Sequence, residues 1–312
     1  MRCTKRARGI SRTPGAHWHS RLHSRSIEPF PPISDMQDSA PPPFIFHAGT
    51  RPLLLSIPHM GTYVPPAIAA RLTDEARRVP DTDWHLDRLY AFAQELGASV
   101  LQATHSRYVV DLNRPPDNAS LYPGQATTSL CPDLTFDGTP LYLDGKSVDE
   151  AEMAQRRESW WRPYHEQLRS ELDRLRAQHG VAMLWDAHSI RSVLPRFFEG
   201  RLPDLNIGTA QGASCAPELG QRIHEIAAAV PGHTCVLNGR YTGGYITRHY
   251  GRPGDGFHAV QLEMTQCSYM EERWPFDYVP AKAQAIQPHL RRMLDSMVEF
   301  GRPALRGSAG AR

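Results

Sequence analysis

The stretch Val181-Ala182-Met183-Leu184-Trp185-Asp186-Ala187-His188-Ser189 decides the fold. Its first five residues form a near-continuous apolar run, the pattern of a strand buried on both faces and hence of a parallel sheet covered by helices. The run then stops at Asp186 and leads to His188 and Ser189. In open α/β sheets, ligands bind just beyond the carboxyl ends of the strands, so polar groups in that position draw attention.

Working outward, the same pattern recurs. Leu53 to Ile57 reads as a buried strand stopped by Pro58, and Val260 to Met264 as another that carries Glu263. Ser99 to Leu101, Tyr108 to Val110 and Thr234 to Leu237 read as further strands. Helical periodicity predicts helices over Ala67–Arg78, Trp84–Leu96, Pro217–Val230 and Pro280–Glu299, with Gly97 closing the second of these. The longest predicted helix runs from Ser147 to Gln178, with Ser147 and Glu150 as a capping box and Pro163 as a kink or division. Strands alternating with helices predict an α/β fold: a three-layer α/β/α domain with a mixed, largely parallel sheet. The Pro/Gly/Asp-rich stretch from Pro115 to Gly145 is too long for an ordinary connection and reads as a binding loop or lid.

The chain has 312 residues, enough for a full-sized core, and no run of about 18 apolar residues that would span a membrane. Its 35 Lys+Arg against 33 Asp+Glu leave a formal charge of +2, without the concentrated basic excess of a nucleic-acid binder. Residues 1–35 hold seven of the basic residues and two acids, so the remainder is mildly acidic. This Arg/Ser-rich segment lacks the apolar core of a secretory signal. Residues 1–43 are expected to be a disordered basic and Pro-rich extension, with Met36 as an alternative start. Residues 44–300 are expected to be a single catalytic domain and 301–312 a flexible tail. The 5 cysteines are scattered and odd in number, which argues against a disulfide framework and fits a cytoplasmic protein.

Polar residues collect where the predicted strands end: His59 after the first, Asp111-Leu112-Asn113-Arg114 after Val110, Asp186 and His188, and Glu263. A carboxylate within an apolar strand is costly unless it is paired or near a metal. Two His, several carboxylates and an Asn-Arg pair are the parts of a hydrolytic zinc site, which keeps three protein ligands and one open position. A third ligand is expected from the Thr82-Asp83-Trp84-His85-Leu86-Asp87 stretch. No Gly-x-Ser-x-Gly elbow, P-loop or dinucleotide fingerprint is present.

These motifs resemble those of the N-formylglutamate deformylase (N-formylglutamate amidohydrolase) family over roughly residues 44–295. The resemblance is carried by Ser56-Ile57-Pro58-His59 with Gly61, Thr82-Asp83-Trp84-His85, Val110 to Pro115, and Leu121 to Gln125. It continues in Trp185-Asp186 with His188-Ser189, Asn238-Gly239-Arg240, Gly243 to Gly251, and Gln261-Leu262-Glu263-Met264. It implies a fold similar to that of zinc-dependent exopeptidases and hydrolysis of N-formyl-L-glutamate to formate and L-glutamate, the last step of a route of histidine degradation. It also implies one divalent metal, Zn²⁺ or alternatively Fe²⁺, Co²⁺ or Mn²⁺, on His59, Asp83 and His188, with Glu263 as general base and acid. Asp83 takes the third ligand position because Thr62 stands where the related carboxypeptidases and deacylases have a ligand Glu. Asn113 and Arg114 are the expected holders of one substrate carboxylate, with Arg191 and Arg248 as candidates for the other. His85 and His249 are candidates for supporting roles. Competing readings are a zinc deacylase or carboxypeptidase-like enzyme for another N-acyl amino acid, and a non-catalytic dicarboxylate-binding protein.

Overall fold

Seven strands form one sheet: β1 (Phe44–His47), β2 (Leu53–Ile57), β3 (Ser99–Ala103), β4 (Ala182–Ile190), β5 (Leu205–Gly208), β6 (Cys235–Leu237) and β7 (Phe257–Thr265), in the order β1-β3-β2-β4-β7-β5-β6. The computed structural model describes residues 40–301 except 122, 123, 125 and 126. The expected extension over 1–43 therefore lies outside the described residues apart from 40–43, and the expected tail apart from Gly301. Within Leu121 to Gln125, residues Tyr122, Pro123 and Gln125 also lie outside them. The β2/β3, β2/β4, β4/β7 and β5/β6 pairs are parallel, whereas β1/β3 and β5/β7 are antiparallel. The sheet is thus mixed and largely parallel, as its apolar strands predict.

Period-2 alternation sorts each strand between two cores. Leu53, Leu55, Ile57, Met183, Trp185, Val260 and Leu262 face one side, where residues of α5 (Pro217–Ala228) and α7 (Pro280–Phe300) cover them. Leu54, Leu101, Leu184 and Ala259 face the other, under α4 (Arg162–His179). Two covered faces make the three-layer α/β/α domain. The remaining helices are short: α1 (Pro66–Ala69), α2 (Leu86–Leu89), α3 (Glu150–Arg156) and α6 (Tyr245–Tyr250).

Several expected elements differ. Tyr108 to Val110 is a buried turn rather than a strand, closed by Val109 N–H donating to Ser106 O at 2.8 Å. The β4 strand runs on to Ile190, so Asp186 and His188 lie within it rather than after it. The Ala67–Arg78 helix survives only as α1 and a 3₁₀ turn at Ala76–Arg78, because Thr73 N–H is diverted to Leu141 O. The Trp84–Leu96 helix is split into α2 and a 3₁₀ turn, Ala91–Ala93, and His85 before it is left-handed. The long helix is capped by Asp149, whose side chain accepts from Glu152 N, and not by Ser147. Near Pro163 the helix divides as expected, through a π-helical turn at Arg157–Trp161.

The strand order places the site. From β2 the chain moves to β3 on one side, while β4 lies on the other, so the order reverses between β2 and β4. Such a switch point opens a crevice at the strands' carboxyl ends.

Candidate active site

Sheet register does most of the positioning. The parallel β4/β7 pairing sets Asp186 beside Gln261 and His188 beside Glu263. All four share the face that carries Leu184 and Ala259, since they sit two or four residues further along. His59 enters from the turn after β2, and Asp83 N–H donates to His59 O at 3.0 Å, which ties the two turns together. Gly61 lets this turn pack against the chain leaving β3: a Cβ there would lie 2.3 Å from His105 O.

The result is a buried triad. His188 Nδ1 lies 3.2 Å and His59 Nδ1 3.7 Å from Asp83 Oδ2. The three residues offer ligand atoms all within 4.8 Å of one another, and this is the one such group found among the described residues. On the other nitrogens, His188 Nε2 contacts Asn113 Nδ2 at 3.0 Å with Asp186 Oδ1 3.1 Å away, and His59 Nε2 is backed by a hydrogen bond to the Asp111 carboxylate at 2.7 Å. That is how metal-binding histidines are oriented and made more basic. Asp83 Oδ1 is buried and has no hydrogen-bond partner. That oxygen has Arg107 Nη1 3.8 Å away, and the oxygen beside the two imidazole nitrogens is Oδ2. A carboxylate and two inward-facing imidazole nitrogens converging on one point are a donor set that suits a divalent cation.

Asp111 is the hub behind His59. Besides His59 it accepts from Asn113 N at 2.9 Å and Arg107 Nη2 at 2.8 Å. Burial would raise its pKa, but Arg114, His59 and Arg107 outweigh that and hold it well below the usual carboxylate range. His59 is pulled below its ordinary value by burial and by Arg107, against the opposing pull of Asp111 and Asp83. His188 is also buried, yet Asp186, Asp83 and Glu263 hold it well above the ordinary value. Glu263 is pushed up to about 8, first by burial and then by the nearby Asp83 and Asp186, with His188 and Arg107 opposing. A cation on the triad would lower it again.

These groups line one cavity. The expected residues His59, Asp83, His188, Asn113, Arg114 and Glu263 all reach it. Asn113 Nδ2 contacts His188 Nε2 at 3.0 Å, and its Oδ1 accepts from Ile246 N at 2.8 Å. Arg114 donates to Thr128 O, Thr128 Oγ1 and Asn113 O. Arg191 and Arg248 are not brought to the cavity. Arg191 turns to Asp137, 2.8 Å away, and Arg248 bonds Gly243 O and Thr242 Oγ1. The two supporting histidines are also elsewhere: His85 bonds Phe276 O at 2.7 Å, and His249 stacks on Tyr245.

The sequence reading assigned no role to Arg107 and Arg240, which both line the cavity. A usable signal existed for Arg107, an arginine inside a buried run four residues before Asp111. Arg240 was visible in the Asn238-Gly239-Arg240 motif, but nothing in the sequence indicates which way it faces.

Comparison with known proteins places this geometry. The sequence model of the N-formylglutamate amidohydrolase family matches residues 51–270. The chain is similar to N-formylglutamate deformylase of Pseudomonas aeruginosa, 53% identical over 257 residues covering 82% of this chain and 96% of that protein. It is 52% identical to the enzyme of the same name from Pseudomonas putida, with the same coverage of both chains. Among solved structures, an N-formylglutamate amidohydrolase from Ralstonia eutropha superposes with a TM-score of 0.72 at 23% identity, over 84% of this chain and 99% of that one, a likeness of fold.

Proposed function

The chain belongs to the N-formylglutamate amidohydrolase family, and from that premise we propose that it hydrolyses N-formyl-L-glutamate to formate and L-glutamate as a metal-dependent enzyme. The supporting observation is the buried His59–Asp83–His188 triad, with converging ligand atoms, beside Glu263 in one cavity. His59 and His188 through Nδ1 and Asp83 through its carboxylate would hold the cation. Zn²⁺ suits this donor set, and Fe²⁺, Co²⁺ or Mn²⁺ also accept it. When bound, such an ion supplies Lewis acidity that polarises a carbonyl and activates water.

The rest is work for the chain's own side chains. Glu263 takes a proton from the attacking water at a carboxylate oxygen and delivers it to the departing amine nitrogen. A cation on the triad would favour the ionised form of Glu263, which is the form that accepts a proton. Asp111 fixes the His59 imidazole, and Asn113 with the adjacent Asp186 charge flanks that of His188, so that each Nδ1 faces inward. Arg107, buried at the cavity wall, adds positive field where negative charge develops on the formyl oxygen. Asn113 and Arg114 hold the α-carboxylate, which sits on the carbon that bears the reacting nitrogen.

The reaction is the last step of a histidine degradation route, carried out in the cytoplasm by a domain spanning 44–300. No described helix is long and apolar enough to cross a membrane. The test is formate release from N-formyl-L-glutamate, N-acetyl-L-glutamate and N-formyl-L-aspartate. N-Formylglutamate is expected to be preferred, and preference for either other compound would overturn the substrate assignment. Metal analysis of purified protein should find one divalent ion per chain, and His188→Ala should release it.

A further inference from the structure

N-Formylglutamate has two carboxylates, and Arg114 accounts for one. Besides Arg107 and Arg114, Arg240 lines the cavity among the described residues, and its surroundings differ from those of Arg114. It follows β6, which lies two strands beyond β7 in the sheet. The segment from Asn238 to Gly244 leaves that edge and crosses toward β7, ending where Gly244 N–H donates to Gln261 Oε1 at 2.7 Å. Arg114 approaches from the other side, next to Asp111 and the turn after β2. The two guanidinium groups are thus carried into the same cavity by different segments of the chain.

Arg240 is held in place from both ends. Asn238, left-handed at φ 53°, bonds Thr209 through both ends of its amide: Thr209 N donates to Oδ1 and Nδ2 donates to Thr209 Oγ1, each at 2.8 Å. Arg240 Nε donates to Phe197 O at 3.0 Å. Beside it the cavity wall is apolar: Phe136, Ile190, Phe197 and Tyr241 belong to one cluster, with Phe136 and Phe197 edge-to-face at 5.2 Å. A cation at the end of an apolar wall matches a ligand that presents methylenes and then a carboxylate. The α-carboxylate of the substrate has no methylenes between it and the reacting centre; the γ-carboxylate has two.

We propose that Arg240, with the Phe136–Ile190–Phe197–Tyr241 wall, forms the subsite that selects the side-chain carboxylate of the substrate. The inference rests on the proposed function and names the residue that sets its substrate range. An ω-carboxylate on a short unbranched chain is the ligand class; its neutral amide is the discriminating analogue.

The experiment compares kcat/KM for N-formyl-L-glutamate, N-formyl-L-glutamine (γ-amide) and N-formyl-L-isoglutamine (α-amide) in the metal-loaded wild type, Arg240→Gln and Arg240→Lys. A second readout is calorimetric binding of glutarate against glutaramate. Arg240 is half-buried, and truncating one partner of a charge pair that a bound ligand covers has a large effect. The glutamate/glutamine preference is therefore expected to fall on the order of 100-fold in Arg240→Gln and to recover partly in Arg240→Lys. The glutamate/isoglutamine ratio should stay within about threefold. An unchanged γ ratio overturns the proposal and leaves Arg240 a prop for the Phe197 segment; a collapse of the α ratio instead overturns it in favour of the α-carboxylate. If the Gln variant does not fold, a wild type that cleaves the γ-amide as well as the acid also refutes it. If no formyl compound is cleaved, the proposed function fails, and equal binding of glutarate and glutaramate by wild type would then overturn the Arg240 subsite as well.

Discussion

Replacing Asp111 by Asn tests the architecture behind the triad. The carboxylate is fully buried and faces four donors: His59 Nε2 and Asn113 N on Oδ1, Arg107 Nη2 and Thr128 Oγ1 on Oδ2. An amide has one accepting oxygen, so whichever way it turns its NH₂ meets two donors. With the oxygen kept toward His59, Arg107 loses its nearest counter-ion; the next carboxylate, Asp83, is 3.8 Å away. Leaving one partner of a buried ion pair alone costs about 3–5 kcal/mol, and the residual Asp83 attraction puts this case near the lower end, about 3 kcal/mol. The imidazole also loses the negative charge that makes it a stronger ligand. Removing such an outer partner weakens metal affinity by about 10–100-fold. Urea unfolding of the metal-stripped protein, followed by tryptophan fluorescence, reads the first quantity, and zinc competition against a chelator dye reads the second. Zinc affinity within about threefold of wild type, together with unchanged unfolding, would show that Asp111 does not organise the centre.

Three further outcomes are expected. Glu263→Gln should lower kcat by about 10²–10⁴-fold while bound metal stays stoichiometric, which steady-state kinetics and metal analysis check together. Gly244→Ala would place a Cβ 2.3 Å from Asn113 Nδ2 although its φ of −83° suits any residue. The effect is purely steric, so kcat/KM should drop at least about tenfold with roughly 1–3 kcal/mol of stability lost, and activity within twofold of wild type would contradict the Asn113 placement. His165 is pushed down to about 3 by burial, so it is neutral in the folded protein while the unfolded chain takes up a proton below the ordinary 6.5. Stability from this group is complete above about pH 6.5 and is lost as pH falls from there toward 3, by up to about 1.4 kcal/mol per unit. Thermal midpoints at pH 7 and 5 should therefore separate less in His165→Gln than in wild type; equal separation would refute the assignment.

The core of the sheet was legible because β2, β4 and β7 are short apolar runs that can only be buried on both faces. Their true ends were not. Asp186 and His188 look like the start of a loop, yet both extend β4, because Ala187 between them keeps the opposite face apolar and the pairing with Gln261 and Glu263 continues. Tyr108 to Val110 has strand composition, but its buried surface is divided between separate clusters in a turn, which no periodicity over three residues reveals. The edge strand β1 and the short β5, interrupted by Asn206, lack the continuous apolar signal altogether.

The same distinction governs the site. The candidate ligands and Glu263 were legible because a His or carboxylate at a buried strand end has few inexpensive roles. The arginines were not, since Arg191, Arg240 and Arg248 are equally plausible carboxylate partners in one dimension. What separates them is the company each keeps after folding. Arg191 lies within reach of Asp137, Arg248 bonds its own loop, and Arg240 is carried over the sheet by a segment whose glycines allow close passage: a Cβ on Gly208 would lie 2.6 Å from Gly243 N. A mildly acidic domain proposed to take a dianionic substrate gains nothing from its overall charge. On that proposal the attraction comes from the few positive groups that line the cavity, Arg107 and Arg114 from the segment after β3 and Arg240 from the crossing of the 238–244 segment, so it is the placement of the arginines and not their number that matters.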